Sequence, residues 1–253
     1  MRYVKKFLRR YLRYCRRKTE KSAAIFLSQN NALKGLIYEA RAISDSYGLT
    51  NFEYVRLYQM VRDIQPEYVL ECGTGKSTFI IAHAMSKNGN GKKLVSMEES
   101  PAWADEQRKA ISHFFNHQHA KEWFPRSSQD LIELITSDIM IERYRVWAGS
   151  CYKGVKPYPY SFMMVDGPEL NNECFVNIDL VNILKTSDIP VSLWIDGRWP
   201  TVTMCCALFG DKVISKPGWT HTEIYHATKD DLNRSMKKIR KDMHKMVIGM
   251  NYV

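Results

Sequence analysis

From Tyr68 onward, short apolar runs alternate with helix-patterned stretches, and this alternation restricts the fold more than any other feature of the chain. Tyr68 to Glu71, Leu94 to Met97, Ser161 to Val165 and Val191 to Ile195 read as strands. Between and after them, Ser77 to Met85, Asn172 to Leu184 and Thr201 to Phe209 read as helices, and Ser100-Pro101 supplies an N-cap and a first-turn proline for another, running through about Phe115. Asn88-Gly89-Asn90-Gly91 is a turn. Strands joined by helical crossovers run parallel and need helices on both faces, so the expected class is α/β with a doubly wound, mostly parallel sheet. Near the end, Lys212 to Ser215 and Thr222 to Ala227 flank Pro217-Gly218-Trp219 and read as an antiparallel hairpin. Residues 116–160 are the least legible, with strand candidates at Leu131 to Ile135 and Arg143 to Trp147.

The first 49 residues have a different character. Ten bases (Arg2, Lys5, Lys6, Arg9, Arg10, Arg13, Arg16, Arg17, Lys18, Lys21) and one acid, Glu20, fall within residues 1–22, so the remainder of a chain of net charge +10 is close to neutral. Tyr3, Val4, Phe7, Leu8, Tyr11, Leu12, Tyr14 and Cys15 recur between the bases at helical period, an amphipathic pattern over residues 1–18. A weaker helical stretch from Ala24 to Ile43 follows and ends near Gly48. Thr50 and Glu53 form a capping box for a helix that stops before Pro66. The expected organisation is a basic helical extension, 1–49, on one domain, 50–253.

At 45% hydrophobic and 25% charged residues, the 253-residue chain has the composition of a globular protein, which excludes the disordered and fibrous classes. No apolar run reaches the roughly 18 residues of a membrane span, and charges interrupt the basic start where a secretory signal needs an apolar core. Six scattered cysteines without a CxxC suit reduced thiols, so the expected location is cytoplasmic, with a peripheral membrane position open.

Val69-Leu70-Glu71-Cys72-Gly73-Thr74-Gly75-Lys76-Ser77-Thr78 is the most informative stretch. A nucleotide-triphosphate loop needs a glycine where Leu70 stands, and the dinucleotide fingerprint needs one where Thr78 stands. What survives is an acid near the tip of the first strand, Gly-x-Gly, and a helix start. Gly73 and Gly75 let backbone approach a ligand, and Glu71 is expected to bring negative charge to the mouth, favouring a cationic ligand.

These residues resemble the first motif of the class I S-adenosylmethionine-dependent methyltransferases. Leu94 to Pro101 is similar to the family's second-strand motif, and Phe162-Met163-Met164-Val165-Asp166-Gly167-Pro168 to its fourth. The likeness spans roughly residues 50–228. It implies a seven-stranded sheet and S-adenosyl-L-methionine as cofactor. Glu71, Gly73, Gly75 and Glu98 would hold that cofactor, with Glu98 on the ribose and Glu99 as its fallback; Ser77 would add a hydroxyl unless it only caps the helix. Asp166 and Asp196 are the catalytic candidates, for orientation or as base. In metal-assisted members an asparagine follows the second of these acids; Gly197 stands there, so no metal is assigned. Asp196 has the alternative of pairing with Arg198. Trp103 either covers the adenine or packs on the sheet.

The expected function is methylation, O-directed as in the small-molecule branch of the family, of a small molecule or glycan. Two alternatives stand beside it: a non-enzymatic module docking on membrane or RNA, and a kinase or NTPase using Gly75-Lys76-Ser77. His113, His117 and His119 have no acid or thiol at ligand spacing and read as a solvated face, and Cys205-Cys206 as core. The basic arm suits an anionic membrane surface, with nucleic acid or a transit peptide behind, or a helix packed on its own domain or on a second subunit. Lys237, Lys238, Arg240, Lys241 and Lys245 add a second basic stretch.

Overall fold

The computed structural model describes residues 2–43, 48–169 and 175–233, with side chains from Phe7 onward. The second basic stretch and Cys174 lie outside them. Three helices come first: α1 (Arg2–Ser28), α2 (Asn31–Ile43) and α3 (Asn51–Ile64). The α3 start is the capping box read from the sequence: Glu53 N–H donates to Thr50 Oγ1 at 3.3 Å and Thr50 N–H to Glu53 Oε2 at 2.8 Å. The helix ends at Gln65, which adopts a left-handed φ of 52° ahead of Pro66.

Then the alternation unfolds: β1 (Tyr68–Cys72), α4 (Lys76–Asn88), β2 (Lys93–Glu98), α5 (Pro101–Asn116), the single turn α6 (Ala120–Trp123) and β3 (Ile132–Thr136). A hairpin of β4 (Ile139–Tyr144) and β5 (Trp147–Tyr152) interrupts it before β6 (Phe162–Val165). The remainder is β7 (Val176–Asn177), α7 (Asp179–Thr186), β8 (Val191–Asp196), α8 (Trp199–Phe209), β9 (Val213–Ile214) and β10 (His221–Ala227). The main sheet has seven strands in the order β3-β2-β1-β6-β8-β10-β9. All pair in parallel except β10, which runs antiparallel to both β8 and β9. This is the Rossmann-like methyltransferase architecture.

Helices cover both faces. One hydrophobic cluster joins α3, α4 and α5 to the sheet, and Leu33, Leu36, Ile37 and Ala40 of α2 and Ala23 and Leu27 of α1 belong to it. The other joins α7, α8 and the small β4-β5-β7 sheet to the opposite face. The core strands are buried on both sides, which is why they read as continuous apolar runs rather than alternating ones.

Two expectations need correction. The strand candidate Arg143 to Trp147 spans a turn, because Arg145 takes a left-handed φ of 57° and reverses the chain between β4 and β5. The helix expected from Asn172 starts at Asp179, after the short strand β7 has paired with β5.

Candidate functional site

The carboxyl ends of β1, β2, β6 and β8 converge on one edge of the sheet. Asp166 N–H donates to Cys72 O at 2.8 Å and Gly73 N–H to Met97 O at 3.0 Å, so the segments leaving β1, β2 and β6 are fastened side by side. Val165 pairs with Ile195, and one further step along that register sets Asp166 beside Asp196. A cleft of about 180 Å³ opens there, lined by Gly48, Leu49, Tyr54, Thr74, Gly75, Lys76, Ser77, Trp103, Met164, Asp166 and Asp196.

The two glycines do different work. Gly73 has a φ of +90°, and a Cβ on it would meet Gly167 N at 2.8 Å, so this residue is glycine to let the β1 and β6 loops touch. Gly75 is extended, and a Cβ there would meet nothing within 4 Å among the described residues: its missing side chain leaves room in the cleft.

Glu71 is fully buried and does not reach the mouth of the sheet. Its carboxylate accepts from Ser77 Oγ (2.6 Å), Thr78 Oγ1 (2.6 Å) and Ser96 Oγ (2.7 Å). The expectation of negative charge presented to a ligand is thereby corrected, since both faces of β1 are covered and the acid turns into the interior. Burial pushes its pKa up to about 7 against the opposing pull of the three hydroxyls. Glu71 therefore ties β1 to β2 and to the first turn of α4, and Ser77 spends its hydroxyl on that tie. The β1–α4 connection is only Gly73-Thr74-Gly75, too short to wrap a triphosphate.

Glu98 ends β2 on the same edge, and its Oε1 accepts from Ser100 N–H at 2.9 Å. Burial raises its pKa. Glu99 turns away, accepting from the Tyr152 hydroxyl and from Glu169 N–H. Trp103 lines the cleft and donates Nε1–H to Thr74 O at 2.9 Å.

Asp166 and Asp196 are differently situated. Nearly half of the Asp166 side chain meets solvent, yet the surrounding protein desolvates it enough to raise its pKa to about 6, with Arg198 Nε, 3.6 Å from Oδ1, pulling the other way. Arg198 thus sits on Asp166, and its Nη1–H donates to Pro168 O at 2.8 Å. Asp196 is raised to about 7, by burial first and then by the charges of Asp166 and Glu53. Acids poised this near neutrality at a cleft suit proton transfer.

The sequence reading missed the roof of the cleft. Gly48, Leu49 and Tyr54 come from the segment before the sheet, and the Tyr54 hydroxyl is buried without a hydrogen-bond partner among the described residues. Tyr54 lies in an ordinary amphipathic pattern, which carried no signal of this. The orphaned Tyr54 hydroxyl and the open notch at Gly75 both belong to the cleft, whereas Glu98, at the end of β2, is not among the residues that line it.

The histidine cluster also acquires a partner that spacing hid. Glu39 of α2 places Oε1 2.8 Å from His113 Nε2 and 4.0 Å from His117 Nε2. His117 Nδ1 accepts from His119 N–H at 3.2 Å. The cluster is a polar clasp between α2 and α5.

The sequence matches no protein-family model and no curated protein. Among solved structures, an S-adenosylhomocysteine-bound methyltransferase from Podospora anserina is similar at 14% identity and a TM-score of 0.50, over 83% of this chain and 96% of that one. A candidate O-methyltransferase from Klebsiella pneumoniae is similar at 13% identity and a TM-score of 0.50, over 84% of this chain and 100% of that one. At such identities the likeness is one of fold, and the fold is that of the class I methyltransferases.

Proposed function

We propose that this chain is an S-adenosylmethionine-dependent methyltransferase acting on an oxygen of a small molecule or glycan. The observation that carries the reading is the meeting, in one cleft, of the Gly75 notch with two acids whose pKa values lie near 6 and 7. Bound there, the cofactor supplies an activated methyl group. Glu98 would accept from the ribose hydroxyls, and Gly75 and the Tyr54 hydroxyl would receive the amino-acid end. Asp196 takes the proton of the acceptor hydroxyl; Asp166, steadied by Arg198, orients that hydroxyl. Holding the reactants in line supplies most of the acceleration, and a base with a pKa near the working pH supplies a further ~10²-fold or more.

Calorimetric titration with S-adenosylhomocysteine tests this. Saturable binding is expected, weakened at least ~10-fold by Glu98→Ala through loss of a charged hydrogen bond. Gly75→Phe should abolish binding while leaving the melting temperature unchanged, because the new ring projects into empty space. Absent binding, or binding indifferent to both substitutions, would overturn the reading.

A further inference from the structure

Helix α1 carries one broad apolar face, only part of which meets the body. Leu8, Leu12 and Cys15 face the body, where the turn at Gly218 lies so close that a Cβ on it would meet Arg16 N at 3.0 Å and Cys15 Cβ at 3.2 Å. The helix is therefore seated on the domain. Next to Leu8, Leu12 and Cys15, and turned outward, Phe7, Tyr11, Tyr14 and Ile25 are 73%, 46%, 64% and 55% exposed, and their spacing puts them along one stripe with Tyr11 at its border with the groove. Exposed Arg10, Arg17, Lys18 and Lys21 interleave and flank that stripe. The single acid of the segment, Glu20, is turned inward, accepting from Phe52 N–H at 3.2 Å. The outward face thus combines aromatic rings with cations and no carboxylate.

A groove of about 650 Å³ runs alongside, floored by Leu8, Leu12, Val202 and Cys206 and rimmed by Arg13, Arg16 and Lys216. Among the described residues no carboxylate lines it, and Trp199 at its edge is 55% exposed.

We propose that α1 and this groove dock the protein on the surface of an anionic phospholipid bilayer. Phe7, Tyr11 and Tyr14 enter the headgroup boundary, the arginines and lysines meet lipid phosphates, and the groove receives an acyl chain from the outer layer. Charge complementarity and aromatic residues that lie flat along one helix face are what an interfacial helix requires. A nucleic-acid track would use the cations equally but has no need of an apolar groove beside them. The proposal does not depend on the chemistry at the strand ends.

Co-sedimentation of the full-length protein with vesicles tests it, comparing phosphatidylcholine alone with phosphatidylcholine containing phosphatidylserine. Binding is expected to the anionic vesicles only. The triple variant Arg10→Glu/Arg17→Glu/Lys21→Glu should lower partitioning at least ~100-fold. Phe7→Ser/Tyr11→Ser/Tyr14→Ser should lower it ~10-fold even where salt has screened the charges. Both variants should melt as the parent does, since all six side chains are exposed. Failure to bind anionic vesicles, equal binding to neutral ones, or preferential capture by single-stranded polyuridine, which would reassign the surface to nucleic acid, would each overturn it.

Discussion

Two groups of acids sit a few residues apart on neighbouring strands and behave in opposite ways. Glu223 on β10 is enclosed yet ionised: Arg56 grips it with Nε at 2.7 Å and Nη2 at 2.8 Å, and His221 Nε2 lies 3.3 Å away. Burial alone would raise its pKa, but these partners bring it down to about 2. His221 is held flat between Trp194, 3.7 Å away centroid to centroid, and Trp219, at 4.6 Å. Across the strand pair from His221 stands Asp196, which has no such grip among the described residues and is raised to about 7. Acids that the fold satisfies hold it together, whereas acids left short of partners at the cleft are available to a substrate.

The largest effect that would break this contrast is on Glu223. Glu223→Ala strands the Arg56 guanidinium beside a buried imidazole and should cost about 3 kcal/mol in denaturant unfolding; a neutral outcome would mean the pair is ornamental. Asp196→Asn should do the reverse to stability and much more to turnover. It should lower kcat ~10²-fold or more while raising unfolding stability at pH 8 by about 1 kcal/mol, and a variant that loses both together would place Asp196 with the structural acids.

The pH dependence sharpens the same comparison. Glu223 binds its proton less tightly when folded, so its contribution is complete above the ordinary carboxylate range and disappears as pH falls toward about 2. Glu71, Asp166 and Asp196 bind theirs more tightly when folded, so stability should decline as pH rises from about 4 to about 7. Asp196→Asn should flatten part of that slope in a melting series, and log kcat/KM of the parent should fall below an inflection between about 6 and about 7. The smallest effect is Ser96→Ala, which removes one of three donors to Glu71 and should cost about 1 kcal/mol.

What was legible in the sequence was whatever local pattern determines. The Thr50–Glu53 box, the strand and helix alternation, the C-terminal hairpin and the acids at strand ends all follow from spacing within a few residues. The β4–β5 turn escaped because Arg145, rather than glycine or asparagine, adopts the left-handed conformation. The inward direction of Glu71 escaped because β1 is buried on both faces and so has no alternating pattern to read. Tyr54 in the roof and Glu39 against His113 are products of long-range folding; the latter pair is 74 residues apart.

The helix that follows the Gly73–Gly75 loop is enclosed from Lys76 through Ser86, wedged between sheet and outer helices. A neighbourhood so confined tolerates little drift, so the Gly73–Gly75 side of the cleft should vary slowly across evolutionary time. Gly48 and Leu49, by contrast, line the cleft from the short run before α3, where exchange disturbs no strand. The rim of the cleft could therefore be reshaped there while the strand ends beneath it stayed as they are.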